Sequence, residues 1–338
     1  MHQPSQRFAV TTPAEVLRFP GYRLRASSSG RTRIVELLFR MSVLIAALSL
    51  IAVIGLIVYE LVLQSRPSMH EFGWKFLVGQ TWDPVSGDFG ALPFIYGTLV
   101  SSLLALMIAV PLAVGLAVYI TEMCPRALRR TLAFTTDCLA AIPSVIYGLW
   151  AIFVLVPVLR GRVEPLLARY LGWMGFFSGT PYGIGMLAAG VILAIIIIPI
   201  ISSITREVLR SVPHQQREAA LALGATRWEM IRIGVLRNAR AGIVGAVILG
   251  LGRALGETMA VTMVIGNRPE IAKSLFAPGY TMASVIANEF SEATGNLYLS
   301  ALVEIGLALF LVTLVVNALA RLLVWSVTRG LPARVHAQ

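Results

Sequence analysis

The sequence predicts an all-α membrane protein with six transmembrane helices. Hydrophobic residues make up 57% of the 338 residues and charged residues only 13%, with a mean hydropathy of +0.78. Six apolar stretches are each long enough to cross about 30 Å of hydrocarbon as a helix. The polar segments between them carry nearly all of the arginines. Composition, apolar length and charge placement therefore agree on a polytopic membrane protein.

The limits of the six spans follow from the apolar stretches and the polar segments that bound them. A polar tail of residues 1–40 precedes the first stretch, which is too long for the apolar core of a cleaved secretory signal. Pro111, Pro143 and Pro199 fall inside the second, third and fourth spans, where neighbouring helices or a cavity must supply hydrogen-bond partners. The predicted spans cover residues 41–63, 92–120, 132–159, 182–203, 241–265 and 297–323 of a transmembrane domain of residues 41–325, which a tail of residues 326–338 follows.

Two of the intervening segments are expected to contain helices that lie in the headgroup layer. Residues 64–91 hold Trp74, Phe76 and Trp82 among glycines and prolines, and residues 160–181 form a second long loop. Aromatic residues are enriched where a membrane meets water. We therefore predict an interfacial helix in each of these segments.

The distribution of positive charge predicts the orientation in the membrane. The two tails, residues 121–131 and residues 205–240 hold about twenty lysines and arginines, whereas the three alternate segments hold about seven. Short positively charged loops stay in the cytoplasm. Both termini and residues 205–240 are therefore expected on the cytoplasmic side. This placement accounts for the net charge of +11, so we expect contact with membrane lipid and no nucleic-acid partner.

The polar segment of residues 206–240 is predicted to be a docking surface for a partner. Pro213 suits the first turn of a short helix, and Gly224 suits the left-handed residue that ends it. Thr226, with Glu229 three residues later, has the pattern of a capping box that begins a second helix. An amphipathic connector without a partner is the simpler alternative.

The fifth span carries two charged residues, Arg253 and Glu257. A charge near the bilayer centre costs at least a few kcal/mol, so Arg253 is expected to face the protein interior and to have a partner. Glu257 lies one helical turn later on the same face. An arginine fork binds tetrahedral oxyanions, and a nearby carboxylate accepts a hydrogen bond from a protonated one such as hydrogen phosphate. A purely structural ion pair is the alternative. Gly250, Gly252 and Gly256 are expected to let another helix or a solute approach the backbone, with helix packing as the simpler interpretation.

Other polar residues also fall within predicted spans. Thr98 and Ser101 lie in one turn, where hydroxyl groups more often bond their own backbone than a solute. Asp137 is expected to pair with the arginines of residues 126–130. Glu304 lies close enough to the external edge of the sixth span to reach water.

Several classes of site are excluded by the residues that the chain carries. Cys124 and Cys138 form no Cys-x-x-Cys motif or metal-binding spacing. Lys75 and Lys273 are the only lysines and neither follows a glycine, so the chain has no phosphate-binding P-loop. All four histidines lie outside the predicted spans, which leaves no catalytic Ser/His or His/Glu set in the membrane.

The docking segment resembles the EAA loop of bacterial ABC-importer permeases, because Glu-Ala-Ala is followed after three residues by glycine. In that family the loop inserts into a cleft of a cytoplasmic ATPase. The family usually closes the motif with Leu-Pro, whereas Leu236 is followed here by Arg237, a departure that bears on the geometry entering the next span. The residues to which the resemblance assigns docking are Glu218, Ala219, Ala220, Gly224 and Arg227.

Three further motifs are similar to the C-type permeases of phosphate-specific (Pst) ABC importers. They are Gly-Arg-Ala-Leu-Gly-Glu-Thr-Met-Ala-Val (252–261), Ile-Pro-Ser-Val-Ile-Tyr-Gly-Leu-Trp (142–150) and Trp-Asp-Pro with Phe-Gly-Ala-Leu-Pro-Phe-Ile-Tyr-Gly-Thr (82–98). The resemblance covers roughly residues 35–328 and implies import of inorganic phosphate across a bacterial cytoplasmic membrane. It ties phosphate passage to Arg253 and Glu257, and the candidate translocation residues are Arg253, Glu257, Thr258, Thr98, Ser101, Ser144 and Glu304.

The same resemblance implies partners and a division of labour. A PstA-type permease forms the second half of the channel, two PstB-type subunits hydrolyse ATP with Mg²⁺, and a PstS-type protein binds phosphate outside. The chain itself is then a non-catalytic subunit that binds no cofactor. A secondary transporter or channel could also use an intramembrane Arg/Glu pair, but it would not need the docking loop, and nucleotide depletion distinguishes the two.

Overall fold

The computed structural model describes residues 30–328, which fall into two units that meet in sequence between residues 57 and 58. The described part of the first unit is the beginning of helix α1, and the predicted tails lie largely outside the described residues. Residues 30–40, predicted as part of the N-terminal tail, are helical. The helices are α1 (Gly30–Phe72), α2 (Lys75–Val78), α3 (Leu92–Val118), α4 (Arg126–Ala140), α5 (Ser144–Trp150), α6 (Val156–Val158), α7 (Glu164–Leu171), α8 (Met186–Ser211), α9 (His214–Ala222), α10 (Arg227–Glu229), α11 (Arg237–Leu255), α12 (Met259–Ile265), α13 (Met282–Glu289) and α14 (Asn296–Thr328).

Short π-helical and 3₁₀ segments join several of these helices end to end. The prediction of an all-α fold is confirmed, since the strands among the described residues form one small antiparallel hairpin, β1 (Trp82–Asp83) and β2 (Asp88–Phe89). The π-helical segments are Tyr119–Met123, Ala151–Leu155, Leu159–Val163 and Met230–Leu236, and the 3₁₀ segment is Gly172–Met174.

Six helices in the described part of the chain are long and apolar enough to cross a membrane. They are Ile34–Phe72, Leu92–Met123, Ser144–Met174, Met186–Ser211, Arg227–Leu255 and Asn296–Leu322. Their number agrees with the sequence analysis, while the limits of the first, third, fourth and fifth differ from those predicted.

The third span begins later than the predicted range of 132–159. Residues 126–140 form a separate helix, α4, and Pro143 stands with an extended backbone before the first residue of α5. A proline lacks an N–H group and disfavours the helical conformation of the residue before it, which favours a break here, although Pro111 and Pro199 are accommodated inside α3 and α8. The span therefore starts at Ser144 and runs on through α7, where a separate interfacial helix was predicted.

The fifth span is longer at one end and broken at the other. An unbroken helix runs from Arg227 through the π-helical segment to Leu255, so Arg237 lies inside a continuous helix. The predicted span of 241–265 is interrupted after Leu255, and α12 follows only from Met259. Glycine at position 256 and the short turn after it end the helical hydrogen bonding there.

The core of the second unit is a tight packing of α3 against α8. Ala105, Ala109 and Ala113 form a fully buried stripe along α3 and pack against α8. Gly190 of α8 leaves room for the side chain of Leu104, because a Cβ atom there would overlap it. Small residues of this kind let two membrane helices approach closely.

The segment between the first two spans packs into the protein instead of lying in the headgroup layer. Helix α1 continues to Phe72, and α2 is a single turn. Phe76 is completely buried and Trp82 is 9% exposed, with its ring 4.9 Å from that of Phe94. The interfacial-helix prediction is therefore wrong for these two residues, because aromatic partners on α3 and α14 bury them; Trp74 alone of the three is exposed.

Candidate functional site: a broken fifth span and a docking loop

Arg253 and Glu257 form an ion pair at the break in the fifth span. The guanidinium of Arg253 lies 3.0 Å from the carboxylate of Glu257. Glu257 lies beyond the end of α11, so the two residues do not share a helix face as predicted. Glu257 also accepts a long hydrogen bond from the N–H of Ala260, 3.5 Å away, in the first turn of α12. The pair thus joins the end of one half-helix to the start of the next.

The two members of this pair differ sharply in exposure. The side chain of Glu257 is 2% exposed, whereas that of Arg253 is 47% exposed. Arg253 thus has the charged partner that was expected, but its side chain is not buried within this chain. The charge sits on an accessible surface of this subunit, where a solute or a second subunit can reach it, and the buried carboxylate fixes one side of the guanidinium.

The glycines around the pair have different roles. A Cβ atom at Gly250 would overlap Ile201 of α8, so that glycine permits helix packing, as expected. A Cβ atom at Gly252 would meet nothing within 4 Å, and one at Gly256 would meet only a backbone oxygen at 3.7 Å. These two glycines therefore pack against no helix of the described chain and border open space beside Arg253. Thr258, half-buried, donates to the carbonyl of Gly256 at 3.4 Å.

The motif of residues 142–150 packs beside the second half of the broken span. Helix α5 lies against α12, and Gly148 permits the contact because a Cβ atom there would overlap Met263 and lie 3.1 Å from Ala260. Ser144 is the first residue of α5 and is half-buried. The structure thus brings two sequence motifs that are over a hundred residues apart together at the break.

The remaining candidate translocation residues lie in packed surroundings. Thr98 donates to the carbonyl of Phe94 at 2.8 Å and accepts from the N–H of Met282 at 2.9 Å, and it is 1% exposed. Ser101 is equally buried and donates to the carbonyl of Thr98 at 3.3 Å. The hydroxyl of Thr98 links α3 to the start of α13, and that of Ser101 bonds within α3, so both have structural partners.

Glu304 belongs to a different part of the protein. It is 6% exposed and lines a largely apolar cavity of about 350 Å³ between the end of α1, α2 and α14. Arg253 and Glu257 are not among the residues that line this cavity. The structure therefore does not bring Glu304 together with the charged pair.

The docking loop has the local geometry that the sequence predicts. Gly224 has a φ of 83°, in the left-handed region, and ends the turn after α9. Thr226 and Glu229 form the expected capping box, in which each side chain bonds the other residue's backbone N–H. Pro213 stands just before α9, with an extended backbone, where its missing N–H costs no helical hydrogen bond.

The docking residues divide between an outer and an inner face. Glu218 and Ala219 are exposed, while Ala220 packs against Gly234 of the following helix. Arg227 donates to the backbone carbonyl of Glu122 at the end of the second span, so its guanidinium binds its own chain. The outer face also presents apolar side chains: Leu221, Leu223 and Trp228 are 48%, 90% and 60% exposed.

Two ion pairs lie near the docking loop; one was not predicted from the sequence and the other was predicted with the wrong partner. Arg217 of α9 pairs with Glu122 at 2.9 Å, with both side chains largely buried, and no pairing of these residues was predicted. Asp137 pairs with Arg206 of α8 and not with residues 126–130. Arginines two or more turns away on the same helix as Asp137 cannot reach it as easily as one that packs across from it. The sequence feature that could have indicated an ion pair for Glu122 is that it is the single acidic residue of the arginine-rich segment of residues 121–131.

Comparison with known proteins places these features in a family. The family model described as "Binding-protein-dependent transport system inner membrane component" matches residues 109–329. A Mesorhizobium japonicum protein named "Phosphate transport system permease protein PstC" is 45% identical over 301 residues, covering 88% of this chain and 92% of that protein. A Haemophilus influenzae protein of the same name is 46% identical over 294 residues, covering 86% of this chain and 93% of its own length.

A more distant relative and a solved structure extend the comparison. "Phosphate transport system permease protein PstC 2" of Mycobacterium tuberculosis is 40% identical over 297 residues, covering 85% of this chain and 90% of that protein. A chain in the crystal structure of a bacterial ABC transporter involved in the import of the acidic polysaccharide alginate superimposes with a TM-score of 0.57 at 18% identity. That match covers 88% of this chain and 99% of the other, and it shows a shared fold.

Proposed function

The chain belongs to the family of inner membrane components of binding-protein-dependent transport systems, and we propose that it carries inorganic phosphate through its membrane in an ATP-driven importer. It is a multi-pass protein of the cytoplasmic membrane and a permease subunit of an ABC transporter. Phosphate is the substrate named for relatives at 40% to 46% identity that align over most of their length.

The observation that carries the proposal is the half-exposed guanidinium of Arg253 beside the buried carboxylate of Glu257. An arginine offers several N–H donors in a fixed fork, so one edge can hold Glu257 while another binds an oxyanion. Open space at Gly252 and Gly256 lets an anion approach the same point. The site therefore contains a fixed positive charge, an adjacent acceptor and room for a tetrahedral anion.

Glu257 supplies the basis for selecting phosphate. A carboxylate accepts a hydrogen bond from hydrogen phosphate, which carries a proton at neutral pH. Sulfate has no proton at this pH, so it would place two negative charges against the carboxylate without a compensating hydrogen bond. Thr258, next in the chain, adds a hydroxyl at the edge of the same space. When no anion is present, Arg253 lies 3.0 Å from Glu257 and offsets its charge.

The docking loop is the second part of the proposal. Its outer face, with Glu218, Ala219 and exposed leucines, has the mixture of apolar and charged groups that a protein partner buries. We assign this face to the ATPase, which binds ATP and Mg²⁺ while this chain binds no cofactor. The complete importer then contains this chain, a PstA-type permease, two PstB-type ATPases and a PstS-type binding protein outside. Both termini and the docking loop face the cytoplasm.

The test is ATP-driven uptake into proteoliposomes that contain this chain with its partner subunits and the phosphate-binding protein. Arg253→Gln should lower phosphate uptake about 10- to 100-fold, because one charge-assisted contact of about 1.5–3 kcal/mol is lost. Arg253→Lys keeps the charge without the fork and should be intermediate. Arg237→Gln, an exposed arginine on the same helix, is the matched control and should transport normally.

The double variant Arg253→Leu with Glu257→Leu separates transport from structure. Well-packed apolar residues can replace a purely structural ion pair without loss. We expect the double variant to assemble with its partners and hydrolyse ATP while moving no phosphate. Near-normal uptake by this variant would overturn the assignment, and sulfate or molybdate uptake equal to that of phosphate would overturn the substrate.

A further inference from the structure

A polar cavity lies beside the docking helix α9, apart from the charged pair of the fifth span. Its volume is about 410 Å³. It is bounded by the end of the second span, the start of α4, the end of α8 and the first turn of α9. The residues that line it are Thr121, Glu122, Arg129, Arg210, His214 and Arg217.

The charges around this cavity do not cancel. Glu122 is its one acidic lining residue and is neutralised by Arg217 at 2.9 Å. Arg210 contacts Glu207 at 3.2 Å, but both side chains are well exposed, so that pair is weak. Arg129 has no acidic partner among residues 30–328. Its guanidinium donates to the carbonyl of Cys124 at 3.4 Å, and its Nε is buried without an acceptor.

The donors that remain free are suited to an oxyanion. Arg129 and Arg210 present N–H groups from two helices towards the same space, and His214 adds a ring at the first residue of α9. The start of a nine-residue helix contributes a partial positive charge of its own. Arginine forks bind phosphate groups in a bidentate way. The volume exceeds that of one phosphate group, which leaves room for water or for the remainder of a larger ligand.

We propose that this cavity binds a phosphate group, supplied either by free inorganic phosphate or by the headgroup of an anionic phospholipid. Both sources are consistent with its position, because two of its sides are the ends of the second and fourth membrane spans and the other two are α4 and the docking helix α9. A phosphate group here competes with Glu122 for the guanidinium of Arg217. Occupancy would therefore loosen the contact between α9 and the second span.

Binding at this cavity stands independently of the proposed transport function, and its test removes the translocation site. The full-length chain carrying Arg253→Gln is placed in nanodiscs of phosphatidylcholine, and binding of radiolabelled inorganic phosphate is measured. A second arm uses nanodiscs that contain phosphatidylglycerol and no free phosphate, and counts by native mass spectrometry the anionic lipids that stay bound to the protein.

Arg129→Gln is the test variant and Arg130→Gln the matched control, since Arg130 is the next residue on the same helix, is exposed and does not line the cavity. Arg129→Gln should weaken phosphate binding about tenfold in the first arm or release one anionic lipid in the second. Arg129→Lys should recover part of the loss, and Arg130→Gln should match the parent. If Arg129→Gln reduces binding in only one arm, that arm identifies the source of the phosphate group.

Equal binding by the parent, Arg129→Gln and Arg130→Gln in both arms would overturn the proposal. His214→Gln provides a second variant on a different helix, and it should weaken the same arm as Arg129→Gln. If the cavity instead binds an acidic side chain of a protein partner, the variants will also show equal binding in both arms, and the proposal is overturned. Transport is not measured in this experiment, so its outcome and that of the uptake assay are separable.

Discussion

The guanidinium of Arg217 lies 2.9 Å from the carboxylate of Glu122, and this ion pair joins the docking helix α9 to the end of the second span. The two side chains are only 12% and 8% exposed. Arg217 also donates to the backbone carbonyls of Leu209 and Val212, at the end of α8. One side chain thus holds three elements together directly behind the surface assigned to the ATPase.

Glu122→Gln should uncouple ATP hydrolysis from transport. The amide keeps the shape of the side chain but removes the charge that holds Arg217, while the backbone carbonyl that binds Arg227 remains. We expect the amount of phosphate moved per ATP hydrolysed in proteoliposomes to fall several-fold, with the ATPase still bound. Glu207→Gln, which breaks only the exposed pair with Arg210, is the control and should leave the ratio unchanged. The same ratio in both variants would contradict the prediction.

The effect of replacing Gly224 should depend on how well the new residue tolerates a positive φ. At a φ of 83°, a β-branched side chain is strained by about 1–2 kcal/mol, whereas asparagine is tolerated. Gly224→Val should therefore displace the turn, and the ATPase should be lost when the complex is purified. Gly224→Asn should retain it. A Cβ atom at this position meets nothing within 4 Å, so a difference between the two variants reports backbone strain and not crowding. Equal retention would show that the turn is dispensable for docking.

Two glycines of α3 should respond in opposite ways to alanine. A Cβ atom at Gly97 would overlap the backbone carbonyl of Tyr280, so Gly97→Ala should destabilise the protein by about 1–3 kcal/mol. Gly115 lies on an exposed part of the same helix with nothing near its Cβ position. Gly115→Ala should be neutral or stabilise the helix by up to about 1 kcal/mol. Thermal unfolding in detergent measures both, and a lower unfolding temperature for Gly115→Ala than for Gly97→Ala would refute the packing described here.

The orientation is tested by labelling single cysteines with a thiol reagent that does not cross membranes. In a background with Cys124→Ala and Cys138→Ala, cysteine at Ser86 or Ser291 should react from outside. Cysteine at Ser211, which lies within the docking segment of residues 206–240, should react only after permeabilisation. All three positions are exposed, so a failure to react reports the side of the membrane and not burial. The reverse pattern would remove the cytoplasmic placement of the docking loop.

Local features of the structure were predictable from the sequence because they depend on neighbouring residues. The left-handed Gly224 and the capping box of Thr226 are set within a few residues by backbone stereochemistry and one side-chain hydrogen bond. The six apolar helices follow from composition and length. Pro143 was expected to disturb helical hydrogen bonding within one span, but the separate helix α4 before the third span was not predicted.

Features that depend on distant residues were not predictable. Arg217 and Glu122 are 95 positions apart, and Arg206 and Asp137 are 69 apart, so only the packing of helices decides which charges meet. Glycines are tolerated within membrane helices, so nothing in the apolar pattern of residues 241–265 required a break after Leu255. The burial of Trp82 likewise depends on α14, more than two hundred residues later in the chain.

The unbroken helix from Arg227 to Leu255 can transmit a rotation at one end as a displacement at the other. At 1.5 Å per residue its length is about 40 Å, so pivoting it by about 5° at one end shifts the other end by roughly 4 Å. One end carries the capping box of the docking loop, and the other carries Arg253. Glu257 lies between the end of this helix and the start of α12, so it is not part of the helix. A pivot of this size displaces Arg253 by a distance comparable with the 3.0 Å of its ion pair, so a movement at the docking end is expected to strain that pair if Glu257 stays bonded to α12.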